Sequence, residues 1–188
     1  MKDFLFYLQL GWDHIISLDA LDHQLFILAL IAAYSFKDFK RLLILVTAFT
    51  IGHCITLALS SFDIIRVKSV WIEFLIPCTI VITALDNILF KGKHPYQYYF
   101  ALFFGLIHGM GFANTARMML AKEQSITIPL LGFNIGLELG QIAMVLIILI
   151  IFTFVTKFTK LNQRDWLLIT SSAAGALALQ MALERMPF

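Results

Sequence analysis

The sequence predicts an all-α integral membrane protein, a bundle of about six transmembrane helices that forms a single domain over residues 1–188. Of these residues 60% are hydrophobic and only 14% are charged, whereas soluble domains are about 45–50% apolar and about 25% charged. The apolar residues collect in long segments that are separated by short loops. A membrane interior cannot pair with exposed backbone groups, so these segments must be helices.

Six segments have the length of about 20 predominantly apolar residues that a spanning helix needs. They run approximately over 14–36, 41–62, 69–90, 97–120, 128–156 and 166–185. The residues before them, 1–10, lack a cleavage site of the Ala-x-Ala type and are interpreted as an amphipathic lead-in that is retained.

Basic residues in the loops predict the orientation, because cytoplasmic loops are enriched in Lys and Arg. Eight lie on one side and six on the other, which favours both termini outside the cytoplasm of an inner or plasma membrane. The two sets are Lys37, Lys40, Arg41, Lys91, Lys93, Lys157, Lys160 and Arg164, against Lys2, Arg66, Lys68, Arg117, Lys122 and Arg185.

The first helix carries the densest group of ionisable residues, in the stretch Gly-Trp-Asp-His-Ile-Ile-Ser-Leu-Asp-Ala-Leu-Asp-His. At about 100° per residue, Asp19, Asp22 and His23 share an arc of about 100°. An ideal helix places His14 on the side opposite His23. Either His14 precedes the regular helix or the two histidines serve different partners. Asp at the centre of a spanning helix costs about 2.5–3.5 kcal/mol, which favours a bound metal or protons over a water-exposed helix end.

The second and fourth helices each contribute one histidine. His53 lies on a weakly polar face, and His108 lies between Gly105 and Gly109, a pair of small residues that lets a neighbouring helix approach closely. Taken alone, His53 is more typical of a hydrogen-bonded core residue than of a metal ligand. In the third helix Pro77 predicts a kink.

The fifth helix has one polar face and one packing face. Asn134, Glu138 and Gln141 fall within about 60° of arc, and an ionisable residue inside a membrane favours a functional role. The opposite face carries a stripe of small residues suited to helix packing, which are Gly132, Gly136 and Gly140.

The sixth helix is rich in Ser, Ala and Gly, which predicts close packing and little chemistry. Glu184 and Arg185 follow at its end and are expected to form an ion pair at the membrane interface. Cys54 and Cys78 fall inside apolar runs and are interpreted as small core residues, not as a disulfide.

The polar residues of these helices predict one shared site. Imidazole and carboxylate ligands suit zinc, nickel, cobalt, iron or copper, and the lack of paired cysteines argues against a thiolate site. A divalent cation would compensate buried carboxylates, and protons carried by a His and Asp chain are the alternative. The candidate metal ligands are His14, Asp19, Asp22, His23, His53, His108 and Glu138, with Asn134 and Gln141 placed to orient them.

Four blocks in order along the chain carry a family resemblance. They are the first-helix stretch extended by Gln-Leu-Phe, then Phe-Thr-Ile-Gly-His-Cys-Ile-Thr-Leu, Phe-Gly-Leu-Ile-His-Gly-Met-Gly-Phe-Ala and Phe-Asn-Ile-Gly-Leu-Glu-Leu-Gly-Gln. They resemble the HupE/UreJ group of small membrane proteins, associated with nickel or cobalt supply to hydrogenase and urease. The resemblance covers essentially the whole chain and implies metal-binding roles for Asp22, His23, His108 and Glu138.

The chain resembles a branch that departs from the nickel-type first motif. The nickel branch has five residues between the first histidine and the Asp-His pair, whereas seven separate His14 from Asp22 here. It also has a second histidine in the fourth-helix motif, where this chain has His108 alone. The bound metal is therefore expected to be nickel, cobalt or zinc.

These observations together predict a transporter, not an enzyme, that passes a divalent transition-metal ion by facilitated or coupled movement. Two other classes stay open: a membrane-embedded hydrolase with a zinc-bound water, and a metal-binding accessory subunit without turnover. The expected partners are a metal ion and the lipid bilayer. A net charge of +2 spread over short loops argues against a nucleic-acid partner, and homo-oligomerisation stays open.

Overall fold

The computed structural model describes residues 2–90, 93–112, 115 and 126–188. These residues form α-helices and short 3-10 turns, with no strand among them, which confirms the predicted all-α class. The helices are α1 Lys2–Ile16, α2 Leu21–Ile31, α3 Phe39–Ser61, α4 Ser69–Phe90, α5 Gln97–Gly111, α6 Thr127–Phe158 and α7 Gln163–Glu184.

The lengths and composition of these helices confirm a multi-pass membrane protein. Four segments are long and apolar enough to cross a bilayer, and the bent pair α1–α2 would add a fifth. The predicted count of about six is therefore approximate. The predicted fourth span begins with α5, and its continuation past Phe112, except for Thr115, lies outside the described residues. The four long segments are Phe36–Ser61, Ser69–Phe90, Thr127–Phe158 and Gln163–Glu184.

The first predicted span, 14–36, differs from the structure in where it begins and in being broken. The helical region begins at Lys2 and breaks after Ile16, and Leu18–Ala20 forms a 3-10 turn before α2 continues at an angle of 57°. The last carbonyls of a helix lack partners within that helix. The side-chain amide of Gln24 meets this need, because its Nε2 donates to the backbone oxygens of Ile15, Ile16 and Ser17 at 3.2, 3.3 and 2.8 Å.

The small-residue stripe of α6 packs against α1. A Cβ atom built on Gly136 would lie 1.9 Å from the backbone oxygen of Leu8, and one built on Gly11 would lie 1.9 Å from that of Phe133. Such distances are far shorter than real contacts, so the two backbones touch only because these positions are glycine. Gly132 meets Phe4 nearer the start of both helices, which shows that α1 and α6 run parallel.

Two further helix pairs are packed in the same way. In the parallel pair α3–α5, a Cβ on Gly105 would lie 2.2 Å from the backbone oxygen of Phe49, and one on Gly109 would lie 2.3 Å from that of His53. In the pair α4–α7, a Cβ on Gly175 would lie 2.9 Å from the Cβ of Ala84. The close approach of α5 to α3 brings the two helices that carry His53 and His108 together.

The short helix α2 lies in the interior of the bundle, with seven of its eleven residues buried. The residues that follow α2 are held by neighbouring segments. Gln163, at the start of α7, donates to the backbone oxygen of Ala33 at 2.6 Å, and Lys93 pairs with Asp38 at 2.9 Å. We call the end of the bundle with residues 32–38 and 93–96 the lower end, and the end with residues 62–68 and 185–188 the upper end.

The side of the membrane that each end faces stays a prediction from the distribution of basic residues. Three of the basic residues used for it, Lys91, Arg117 and Lys122, lie outside the described residues.

Candidate metal centre

Three histidines from three helices form a compact group. One ring nitrogen from each of His14, His23 and His53 lies within 4.8 Å of the others. The ring centroids of His14 and His23 are 4.7 Å apart, and His53 lies 6.0 Å from the first and 6.3 Å from the second. These distances define the core of the histidine cluster.

The break between α1 and α2 is what brings His14 to His23. On one continuous helix the two side chains would point in opposite directions. The turn at Leu18–Ala20 redirects the chain, so His14 at the end of α1 and His23 in the first turn of α2 face one another. The structure matches neither alternative left by the sequence, because His14 lies within the regular helix α1 and the break after Ile16 still brings it to His23.

A fourth imidazole completes the cluster. His108 on α5 is 1% exposed, and its ring centroid lies 5.0 Å from that of His23. His53 on α3 has no measurable exposure. Taken alone, the sequence favoured a core role for His53, whereas the packing of α3 on α5 places both His53 and His108 beside His23.

The carboxylate of Asp22 orients the ring of His23. Its Oδ1 atom lies 3.0 Å from the Nδ1 of His23 and also accepts the backbone N–H of His23 at 2.9 Å. A carboxylate next to Nδ1 holds the proton on that nitrogen and leaves the lone pair of Nε2 free. The Nε2 atom is buried and has no hydrogen-bond partner among the described residues, so it is oriented as metal ligands usually are.

A threonine on α4 orients His108 in the same manner. The hydroxyl of Thr79 donates to the backbone oxygen of Ile76 at 2.7 Å and lies 3.0 Å from the Nε2 of His108. Because the hydroxyl proton is already used, its oxygen accepts from Nε2–H. The unprotonated nitrogen of His108 is then Nδ1, which is buried and has no hydrogen-bond partner in the part of the chain that the structure describes.

The remaining ring nitrogens strengthen the case for a ligand. Neither nitrogen of His53 has a hydrogen-bond partner among the described residues, and the same holds for Nε2 of His14. Buried polar atoms are nearly always paired. A cation that accepts lone pairs from several imidazoles would satisfy this whole group at once, so the residues fit a transition-metal ion.

A cavity of about 210 Å³ connects the cluster to the upper end of the bundle. His14, His23 and His108 line its inner part, while the exposed carboxylates Asp19 and Glu73 line its mouth. Since His53 lies eight residues before the upper end of α3, it sits about 12 Å below that end. The cavity thus provides a path with carboxylates outside and imidazoles inside.

Below the cluster the path is closed by aromatic rings. The rings of Phe26 and Phe49 pack at a centroid distance of 4.9 Å, and each lies 5.1 Å from the ring of His108. Both phenylalanines are about 1% exposed. The cluster is therefore accessible from the upper end and sealed towards the lower end.

The polar face of α6 lies away from this cavity. Glu138 accepts a hydrogen bond from Thr47 at 2.5 Å, and Gln141 accepts one from Thr50 at 2.8 Å. Asn134 donates to the backbone oxygen of Leu130 at 2.8 Å. None of the three α6 residues lines the cavity. The predicted ligand Glu138 and the amide of Gln141 form a polar seam with α3, whereas Asn134 bonds within its own helix.

Three residues that sequence reasoning missed or misplaced shape the site. Gln24 stabilises the helix break, and Thr79 orients His108, although neither stood out from its sequence context. Arg185 was expected to pair with Glu184, but its guanidinium lies 3.6 Å from Asp22 and Glu184 accepts a bond from Gln180 instead. The roles of Thr79 and Arg185 depend on contacts with distant segments of the chain, and that of Gln24 depends on the helix break that it spans, so no helical periodicity reveals them.

The fold and the site together define a helical membrane protein with a buried histidine cluster at the inner end of a polar cavity. The model of the HupE / UreJ protein family matches residues 1–185. The chain therefore belongs to the HupE/UreJ family, as its four sequence blocks predicted. Comparison with curated proteins and with solved structures gave no significant match.

Proposed function

We propose that this protein carries a divalent transition-metal ion, nickel or cobalt, across the membrane by way of the histidine cluster. The observation that carries the proposal is the convergence, at the inner end of a cavity, of imidazole nitrogens from four helices that have no hydrogen-bond partner within the described ranges. The HupE/UreJ family is associated with nickel and cobalt transport, which supports these two ions over zinc.

The donor set suits an ion that is bound and then released. Neutral imidazoles bind nickel, cobalt and zinc without adding charge. Metal–nitrogen bonds of about 2.0–2.1 Å place nitrogen ligands about 3.3 Å apart in a tetrahedral site. The ring nitrogens of His14, His23 and His53 lie within 4.8 Å of one another, so modest side-chain rotations would close them on an ion.

The arrangement of charges supports entry from the upper end. An ion would first meet Asp19 and Glu73, which are exposed at the mouth of the cavity. It would then exchange its waters for the imidazoles of His23 and His108. Binding must stay weak enough for release, and the absence of carboxylates among the innermost ligands serves that need.

Release towards the lower end requires the aromatic seal to open. Phe26 lies on α2, which joins α1 at the bend of Ser17–Ala20. Movement of α2 about this bend would displace Phe26 from Phe49 and carry His23 with it. A site that alternates between the two ends in this way is typical of transporters with broken helices.

A metal-dependent hydrolase is less well supported by the same geometry. Catalytic zinc sites use three protein ligands and keep a fourth position for water. Here a fourth imidazole, His108, lies beside His23 and would compete for that position. The proximity of His108 therefore favours ion passage.

Uptake by proteoliposomes tests the proposal. Purified protein is reconstituted, Ni²⁺ or Co²⁺ is added outside, and uptake is followed with a chelating dye trapped inside. We expect His23→Ala and His108→Ala to lower the uptake rate at least about tenfold. His94→Ala is the matched control, because His94 stacks on Tyr96 at the lower end, remote from the cluster. Native uptake rates for both cluster variants would overturn the proposal.

Elemental analysis of the purified protein adds an independent reading. We expect nickel or cobalt to co-purify with the native protein and to be depleted in His23→Ala. Zinc at full occupancy, unaffected by excess nickel or cobalt, would instead favour the hydrolase or a structural metal.

A further inference from the structure

The mouth of the cavity holds one permanent positive charge. Arg185 is the only lysine or arginine among the described residues that line the cavity, where it faces the carboxylates of Asp19, Asp22 and Glu73. Its backbone N–H closes α7 by donating to Met181 at 3.1 Å. The side chain is about one-third exposed, so it can move without leaving a buried charge behind.

Arg185 contacts the carboxylate that orients the metal-binding histidine. Its Nη1 atom lies 3.6 Å from Oδ2 of Asp22, while Oδ1 of the same carboxylate is held by His23. One carboxylate thus joins a fixed cation on α7 to the imidazole on α2. A metal ion bound by Nε2 of His23 would lie on the side of the imidazole opposite Asp22 and Arg185.

Phe188, three residues after Arg185, contacts a different helix. The ring of Phe188 packs edge-to-face on Trp71 at the start of α4, with a centroid distance of 5.9 Å. Glu73, at the mouth of the cavity, follows Trp71 by two positions. Residues 185–188 therefore connect Asp22 on α2 with the start of α4 at the upper end.

We propose that Arg185 is a tethered counter-cation that gates the cavity, pairing with Asp22 when no metal is bound and moving away when a divalent ion enters. This proposal rests on the proposed function of the histidine cluster. Arg185 is a positioning residue and not a ligand, because a guanidinium has no lone pair to offer a metal. Its charge weakens metal binding and so promotes release.

The physical reason is the repulsion between two cations that share one carboxylate. A guanidinium beside Asp22 neutralises the carboxylate that would otherwise attract the incoming ion, and its own charge repels a divalent ion within the Debye length of about 8 Å. Removing the charge should therefore tighten binding. A residue that only supports the fold would have the opposite effect on affinity when removed.

Equilibrium dialysis of Ni²⁺ with the full-length protein in detergent, together with release rates after addition of chelator, tests the gate. We expect Arg185→Gln to lower the dissociation constant about tenfold and to slow release by a similar factor. Arg185→Lys keeps the charge and should retain native values. The matched control is Arg66→Gln, since Arg66 is exposed and pairs with Asp63 outside the cavity.

The outcomes separate this proposal from the proposed function. If the native protein binds Ni²⁺ and Arg185→Gln binds it equally or more weakly at native thermal stability, the gate is overturned and the histidine site stands. If Arg185→Gln is unstable, Arg185→Lys is compared with the native protein instead. Weaker Ni²⁺ binding by Arg185→Lys than by the native protein would then count against the gate. If the native protein binds no Ni²⁺ or Co²⁺, both proposals fail.

Discussion

The imidazoles of His14 and His23 face each other with ring centroids 4.7 Å apart, although nine positions separate them and an unbroken helix would place them on opposite sides. The contact exists because the chain leaves the helical path after Ile16 and resumes it at Leu21. The histidine cluster is thus a product of a helix break, and the stability of that break decides whether the cluster forms.

Replacing Gln24 with Leu should loosen the break. The substitution removes the amide that bonds the backbone oxygens of Ile15, Ile16 and Ser17. Unpaired carbonyls inside a protein cost about 1–3 kcal/mol, so we expect a lower thermal midpoint and weaker Ni²⁺ binding. Gln9→Leu, on an exposed position of α1, is the control. Equal stability of the Gln24 variant and the control would show that the amide does not hold the break.

Replacing Thr79 with Val should weaken metal binding without unfolding the protein. Valine has nearly the shape of threonine but cannot accept Nε2–H of His108, so it no longer selects the tautomer with a free Nδ1. Partners that orient a ligating histidine usually contribute about 10–100-fold in metal affinity. Titration with Ni²⁺ should give a loss in this range for Thr79→Val and a recovery in Thr79→Ser. An affinity loss that serine does not restore would point to a packing effect.

Replacing Gly136 with Ala should disrupt the packing of α1 on α6. The added Cβ would lie 1.9 Å from the backbone oxygen of Leu8, and no rotation of a side chain can relieve a clash with backbone. We expect most of the protein to be lost from the monodisperse peak in size-exclusion chromatography. Gly111→Ala is the control, since its Cβ would meet the flexible end of Ile76 at 2.9 Å and Ile72 at an ordinary contact distance of 3.7 Å, but no backbone atom of another helix. Similar yields for both variants would contradict the proposed packing.

Replacing Glu138 with Gln distinguishes the site in the structure from the wider site expected from the sequence. Glu138 contacts Thr47 and does not line the cavity. We therefore expect Glu138→Gln to bind Ni²⁺ within about threefold of the native affinity, whereas His53→Ala should lose at least about tenfold. A loss of affinity for Glu138→Gln as large as that for His53→Ala would place the carboxylate among the ligands.

Much of the fold followed from composition and spacing. The long apolar segments predicted the membrane helices, and the small residues of α6 predicted a packing face that indeed lies against α1. These predictions succeed because apolar length and the spacing of small residues along one helix are local features, which identify a membrane helix and its packing face whatever partner the helix meets. The helix break could not be found this way, because the groups that stabilise it include a glutamine seven residues further on.

The sequence by itself determined that this is a helical membrane protein of the HupE/UreJ family with histidines on several helices, since local composition and motif spacing carry that information. Only the tertiary structure decided which of the polar residues meet. It brought His14 to His23, turned Glu138 towards α3 and placed Arg185 on Asp22. The physical reason is that ligand geometry depends on how helices bend and pack, which is set by contacts between residues far apart in the chain.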